Sequence, residues 1–125
     1  MNGKEADVQK KITGRAGEKA VADYIKSRKM NVLEKNYVTP FGEIDIIAED
    51  DDYIVFIEVK TRSGDRYGAP SEAVDKTKRK HIVDSAKYYL KVTNSTESFT
   101  RFDVAEVFSD NGSYAVNYIE DAFYL

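Results

Sequence analysis

Three charged side chains interrupt stretches that otherwise have the composition of buried strands. Asp45 lies within Gly42-Glu43-Ile44-Asp45-Ile46-Ile47-Ala48, and Glu58 and Lys60 lie within Val55-Phe56-Ile57-Glu58-Val59-Lys60. Both stretches are rich in β-branched and aromatic residues, and the acidic run Glu49 to Asp52 separates them, so they predict a β-hairpin. Side chains alternate faces along a strand. Glu43, Asp45 and Ile47 are therefore expected on one face, and Phe56, Glu58, Lys60 and Arg62 on one face of the partner strand. With Asp51-Asp52 as a two-residue turn, Asp45 stands opposite Glu58 and Glu43 opposite Lys60. Opposed Cβ atoms are ~4.5–5.5 Å apart, and like charges at that spacing are destabilising. A register shift of two residues would still leave both carboxylates on one face.

Two carboxylates so placed call for a proton or a cation. A hard divalent cation, Mg2+ or Mn2+, is the usual partner of such oxygens. Lys60, beside the pair, could orient a water and offset charge developing on a phosphate. The plainer reading is a solvated hairpin face with Glu43–Lys60 as an ordinary cross-strand pair. The apolar neighbours Ile47 and Phe56 on that face weigh against it.

The elements that must position these residues read as αβββαββ. From Ile12 to Met30 the apolar positions Ile12, Ala16, Ala20, Val21, Tyr24 and Ile25 recur at helical spacing, with Gly14 and Gly17 inside the pattern. Asn31 to Tyr37 predicts a strand, and Thr39-Pro40-Phe41-Gly42 a turn before the hairpin. Ser63 to Pro70 reads as a loop, and Ser71 is placed to cap a second helix carrying Val74, Ile82, Val83, Ala86, Tyr89 and Leu90. Strands near Thr100–Phe108 and Ser113–Ile119 follow, divided by Ser-Asp-Asn-Gly. This order predicts a mixed sheet with helices (α+β within the broad α/β class) rather than a repeating parallel βαβ unit.

At 125 residues the chain is the size of one domain, expected to span 1–125. The absence of cysteine excludes disulfides, thiolate metal sites and cysteine nucleophiles, and a single histidine, His81, excludes histidine clusters. No apolar run approaches a membrane span and no signal core stands at the N-terminus, so a cytoplasmic protein without a membrane partner is expected. The net charge of −3 argues against coating nucleic acid by bulk charge; a polyanion would be gripped locally. Lys76, Lys78, Arg79 and Lys80 are the candidate grip, either a solvated helix face or phosphate contacts that position DNA without reading its sequence. Arg62 could act likewise or pair with a carboxylate. Tyr67, in the loop, could stack on a base or cover core. Asp103 is expected at a strand edge, outside the site.

The two strand motifs, the second extended through Thr61-Arg62, are joined by Gly17-Glu18, Asn36-Tyr37, the Lys78 region and Arg101-Phe102-Asp103-Val104. Together, from about Gly14 to Val107, they resemble the YraN-like family of uncharacterised bacterial proteins. That family is similar to the Holliday-junction-resolvase-like branch of the PD-(D/E)XK nucleases. The resemblance implies a restriction-endonuclease-like mixed β-sheet flanked by helices. It also implies that Asp45 is the metal-binding Asp, that Glu58 and Lys60 form the Glu-x-Lys motif, and that Glu18 is the helix acid facing the same site. The Val59 carbonyl would complete the shell of Mg2+ or Mn2+. The function so implied is a metal-dependent endonuclease hydrolysing DNA phosphodiesters, branched DNA included. Two other readings stand beside it: a non-catalytic nucleic-acid-binding or protein-recruitment module on the same fold, and an interaction domain using Tyr114, Tyr118, Phe123 and Tyr124. The sequence leaves the oligomeric state open, a homodimer included.

Overall fold

The computed structural model describes residues 3–63, 75–110 and 112–123, with side chains from Arg15 onward apart from positions 62, 63 and 110. Tyr67, Ser71 and Val74 lie outside the described residues. The elements are α1 (Gly3–Ser27), β1 (Asn31–Thr39), β2 (Gly42–Asp50), β3 (Tyr53–Ser63), α2 (Lys76–Val92), β4 (Phe99–Asp110) and β5 (Ser113–Phe123), in the expected order αβββαββ. The strands form a five-stranded sheet in chain order, antiparallel except for the parallel pair β3–β4. Two parallel neighbours need a crossover connection, and α2 lies in it.

The sheet buries both faces. On one side α2 contributes Ile82, Ala86 and Tyr89 to a core with Ile44, Ile47, Phe56, Phe102, Val104 and Phe123. Phe56 is fully buried, edge-on to Tyr89 at 5.9 Å and stacked on Phe102 at 5.5 Å. On the other side Val21 and Ile25 of α1 pack with Met30, Ile46, Ala48, Val55, Ile57, Ala105 and Val107. Strand β3 is central and apolar toward both helices, as a strand covered on two faces must be.

Helix ends follow backbone chemistry. Lys29 (φ 66°) and Asn94 (φ 57°) are left-handed residues that close α1 and α2. Met30 N–H donates to the Ile25 carbonyl at 3.0 Å, and Ser95 N–H to the Leu90 carbonyl at 2.7 Å, the six-to-one bonds of a Schellman end. The start of α2 differs from the Ser71 expectation. Asp75 is its N-cap, accepting the Lys78 N–H at 2.8 Å, so the helix begins at Lys76.

The hairpin register is the one the two-residue turn predicts: Asp50 pairs with Tyr53 and Ile46 with Ile57. The expected opposition of Asp45 and Glu58 within the ladder does not follow, because pairing stops one step earlier. Strand β2 continues along β1 to Gly42 and β3 along β4 to Ser63, so the sheet forks between them. Glu43 therefore faces Val38 on β1, and Lys60 faces Glu106 on β4; the expected Glu43–Lys60 pair does not form. Alternation in β2 breaks as well. Ile46 and Ala48 face α1, yet Ile44 joins Ile47 on the α2 side.

Gly17 explains itself by contact. A methyl group there would run into Thr61 Oγ1, so the α1 backbone at Gly17 lies directly against the Thr61 side chain of β3. Asp103 is also more than a strand edge. It is wholly buried, its carboxylate accepting from Arg101 Nε at 3.0 Å, Tyr118 Oη at 2.5 Å and the Asp121 N–H at 2.9 Å. Arg101 bridges it to Asp50 at 3.0 Å.

Two stability outcomes are expected in chemical denaturation. Gly17→Ala should cost about 1–3 kcal/mol by overpacking α1 on β3, and Gly17→Ala combined with Thr61→Ala should recover most of it. Arg101→Met should cost about 3–5 kcal/mol, because it leaves the Asp103 charge buried without its guanidinium. A loss under about 0.5 kcal/mol in either single variant would contradict the corresponding contact.

Candidate functional site

The fork creates its own polar requirement. Where β2 leaves β3, the inward N–H of Val59 has no strand partner, and the Asp45 carboxylate takes it at 2.8 Å. Asp45 is thus turned into the gap in the sheet rather than onto a face. In a strand the N–H and C=O of one residue leave the same edge, so the Val59 carbonyl also looks into the fork. β3 alternates regularly, with Ile57 and Val59 toward α1, which places Glu58 and Lys60 on the α2 side with Phe56.

Acidic groups reach this gap from three elements. Glu58 is 4% exposed, and its carboxylate is close enough to that of Asp45 to share a proton. Glu18 arrives from the α1 side, held by Asn36 Nδ2 at 3.1 Å and within electrostatic reach of Asp45 and Glu43. Asn36 can do this because it sits at φ 51°, a left-handed conformation that asparagine tolerates, between the pairs Lys35–Ile46 and Tyr37–Ile44. Among the described residues Lys78 of α2 brings a cation to the pair, its Nζ 3.4 Å from Glu58 Oε1.

The electrostatics follow from crowding. Burial, then the Glu58 charge, push the Asp45 carboxyl up to about 7, against the pull of the Val59 N–H and Lys78. Glu18 is raised by partial burial first and by Asp45 and Glu43 further, while the Asn36 bond lowers it. Among the described residues no three acidic or histidine side chains stand at metal-ligand spacing. The donor chemistry still fits Mg2+, which keeps several waters and commonly takes one or two carboxylates. Two carboxylates that cannot comfortably ionise together, with a strand carbonyl on the same edge of β3, are such a set.

The remaining candidates divide. Lys60 is half-buried on the Glu58 face, beside buried Glu106 across the strand boundary. Arg62 continues β3, but its side chain lies outside the described residues. Of the basic cluster, Lys76 is exposed, Lys80 pairs with Asp84 at 3.0 Å, and the Arg79 guanidinium lies 5.5 Å over the Phe123 ring. Lys78 is drawn into the acidic pair. Sequence reasoning named Asn36 only as part of a motif, without its bond to Glu18, and missed Glu106. Glu106 was legible, since it follows Phe102 and Val104 on a period of two; the left-handed turn at Asn36 was not. A cleft of about 380 Å³ lined by Tyr24, Arg28, Met30, Asp50, Tyr118 and Glu120 lies at the hairpin end of the sheet, away from the fork. Its Arg28 is bonded to the Tyr24 hydroxyl at 2.7 Å and its Asp50 to Arg101, so the fork is the better chemical candidate.

The raised Asp45 sets a pH dependence. A carboxyl protonated in the fold up to about 7, against an ordinary value near 3.8, gives the native state extra protons between those limits. Stability therefore falls as pH rises through that window, by up to about 4 kcal/mol from this group. In chelator-treated protein, Asp45→Asn should flatten the decline in Tm from pH 4 to 8 and be the more stable form at pH 8. Parallel Tm–pH curves for the two proteins would refute the raised carboxyl.

Comparison with known proteins agrees with the motifs. Residues 17–107 match the model of the Uncharacterised protein family UPF0102. A UPF0102 protein of Clostridium botulinum (strain 657 / Type Ba4) is 44% identical over 118 residues, covering 92% of this chain and 96% of its own. One from Caldanaerobacter subterraneus subsp. tengcongensis is 42% identical over 119 residues, covering 93% and 98%. One from Clostridioides difficile is 42% identical over 123 residues, covering 98% and 100%. The span that carries Glu18, the fork and Lys78 is the span the family shares, and this chain belongs to the UPF0102 (YraN-like) family.

Proposed function

We propose that this protein hydrolyses DNA phosphodiester bonds with a divalent cation, Mg2+ or Mn2+, at the sheet fork. One observation carries the reading: a carboxylate pair, half-buried Asp45 and buried Glu58, stands at a gap in the sheet beside the Val59 backbone. A stability-driven sequence would not keep two like charges there. Asp45, Glu58 and the Val59 carbonyl would hold the cation, with Glu18 adding negative charge from the α1 side. The bound cation supplies Lewis-acid stabilisation of charge on the phosphate. Lys60 orients the attacking water and offsets charge as the phosphate reacts. Arg62, Lys76, Lys78, Arg79 and Lys80 contact backbone phosphates of DNA, branched forms included. Among the described residues no helix is long and apolar enough to cross a membrane.

A non-catalytic DNA-binding or recruitment module is the second reading. The internal pairing of Lys78, Arg79 and Lys80 and the net charge of −3 favour it, since both weaken a phosphate grip.

Single-stranded, duplex and branched DNAs incubated with Mg2+ or Mn2+ separate the two. Cleavage is expected, with Lys60→Ala lowering the single-turnover rate by about 10²–10³-fold and leaving affinity unchanged. Lys76→Gln with Lys80→Gln should instead weaken binding and flatten its salt dependence by roughly one slope unit per contact. Binding without cleavage in every condition would favour the module.

A further inference from the structure

We propose that Lys78 is the resident counter-ion of Glu58 and competes with the divalent cation for it, so that metal loading releases Lys78 to the substrate phosphate. The inference rests on the metal-dependent reading above and adds to it a positioning role for one helix residue.

The geometry is asymmetric in a useful way. Glu58's side chain is 5% exposed, whereas that of Lys78, 3.4 Å away, is 46% exposed. A carboxylate buried to that degree is costly unless a cation accompanies it. Lys78 supplies that cation from outside, at the tip of a flexible four-carbon stem. Its main chain is held: the Lys78 N–H is bonded to the Asp75 cap, and α2 is fixed to the sheet through Ile82, Ser85, Ala86 and Tyr89. The Thr39–Ser85 hydroxyl contact at 2.8 Å ties the same helix to the β1–β2 turn that leads into Asp45. Departure of the ammonium therefore needs rotamer changes in one half-exposed side chain and no movement of the helix.

The two cations compete for Glu58 because their charges repel at that range. Mg2+ takes carboxylate oxygens at roughly 2.0–2.1 Å, and an ammonium left on the same carboxylate would meet a double positive charge at short range. Lys78 also acts weakly on Asp45, easing its ionisation without offsetting burial and the Glu58 charge, so the pair keeps an unmet demand for positive charge. Once displaced, the ammonium stands at the mouth of the fork, where a phosphate drawn to the metal would lie. The same lysine then serves two states, as a plug in the metal-free protein and as a phosphate contact in the loaded one.

The test is Mn2+ binding by isothermal titration and by electron paramagnetic resonance of free Mn2+, on chelator-stripped wild type, Lys78→Met, Lys78→Arg and Glu58→Gln. Met keeps the stem and the helix propensity. Lys78→Met should bind Mn2+ at least about tenfold more tightly than wild type, Lys78→Arg should stay near wild type, and Glu58→Gln should lose the site. Metal-free Lys78→Met should melt below wild type, its Glu58 left without a counter-charge, and millimolar Mn2+ should raise its Tm more than it raises that of wild type. Equal or weaker Mn2+ binding by Lys78→Met overturns the competition and leaves the metal site standing. No Mn2+ binding by any variant, or binding indifferent to Glu58→Gln, overturns the metal site and the competition with it.

Discussion

The bond from the Val59 N–H to the Asp45 carboxylate is the point on which the organisation of this protein turns. A sheet that splits between two central strands exposes backbone groups that some polar atom must satisfy. Using a carboxylate for this brings a negative charge into the interior. It also places that charge beside Glu58, the next polar residue along β3. Every other feature of the site answers one of those two facts. Glu18 and Asn36 line the α1 side, and Lys78 supplies the opposing charge from α2.

Two carboxylate clusters in the sheet are treated very differently. In mid-β4, level with Ile57, Asp103 is wholly enclosed, and Arg101, Tyr118 and a main-chain N–H saturate it. Its charge is matched in place, and the group serves the fold. At the fork the acids outnumber the cations near them: Asp45 feels Glu58 and Lys78, and Glu18 feels Asp45, Glu43 and Lys35. Such an imbalance costs stability, and the proposed cation would relieve it. That contrast, within one small sheet, supports the proposal of a functional site at the fork and a structural role for the Asp103 cluster.

Close approach of the flanking layers is the second requirement. Gly17 lets α1 lie directly on Thr61, so the following residue, Glu18, can reach the gap. On the opposite side Thr39 and Ser85 hold α2 against the β1–β2 turn. The acids thus come from elements far apart in the chain, fixed by contacts that carry no chemistry themselves. UPF0102 membership spans these same supports, from Gly17 to Val107.

Composition and periodicity alone determined the element order, the mixed sheet and the β2–β3 register, because β-branched runs, a two-residue Asp-Asp turn and helical spacing are local signals. They also singled out Asp45, Glu58 and Lys60, since charges within apolar strands stand out without any coordinates. Tertiary structure alone decided how these residues meet. Strand parity put Asp45 opposite Glu58 in a continuous ladder; instead β2 is held by β1 and β3 by β4, and the competition between those partners pulls the hairpin apart at Ile46–Ile57. Local sequence carries no record of such a contest between neighbours on either side. The same holds for Lys78, which reads as one charge in a basic run. Its partner, Glu58, lies twenty residues earlier, and only the packing of α2 on the sheet brings the two within 3.4 Å.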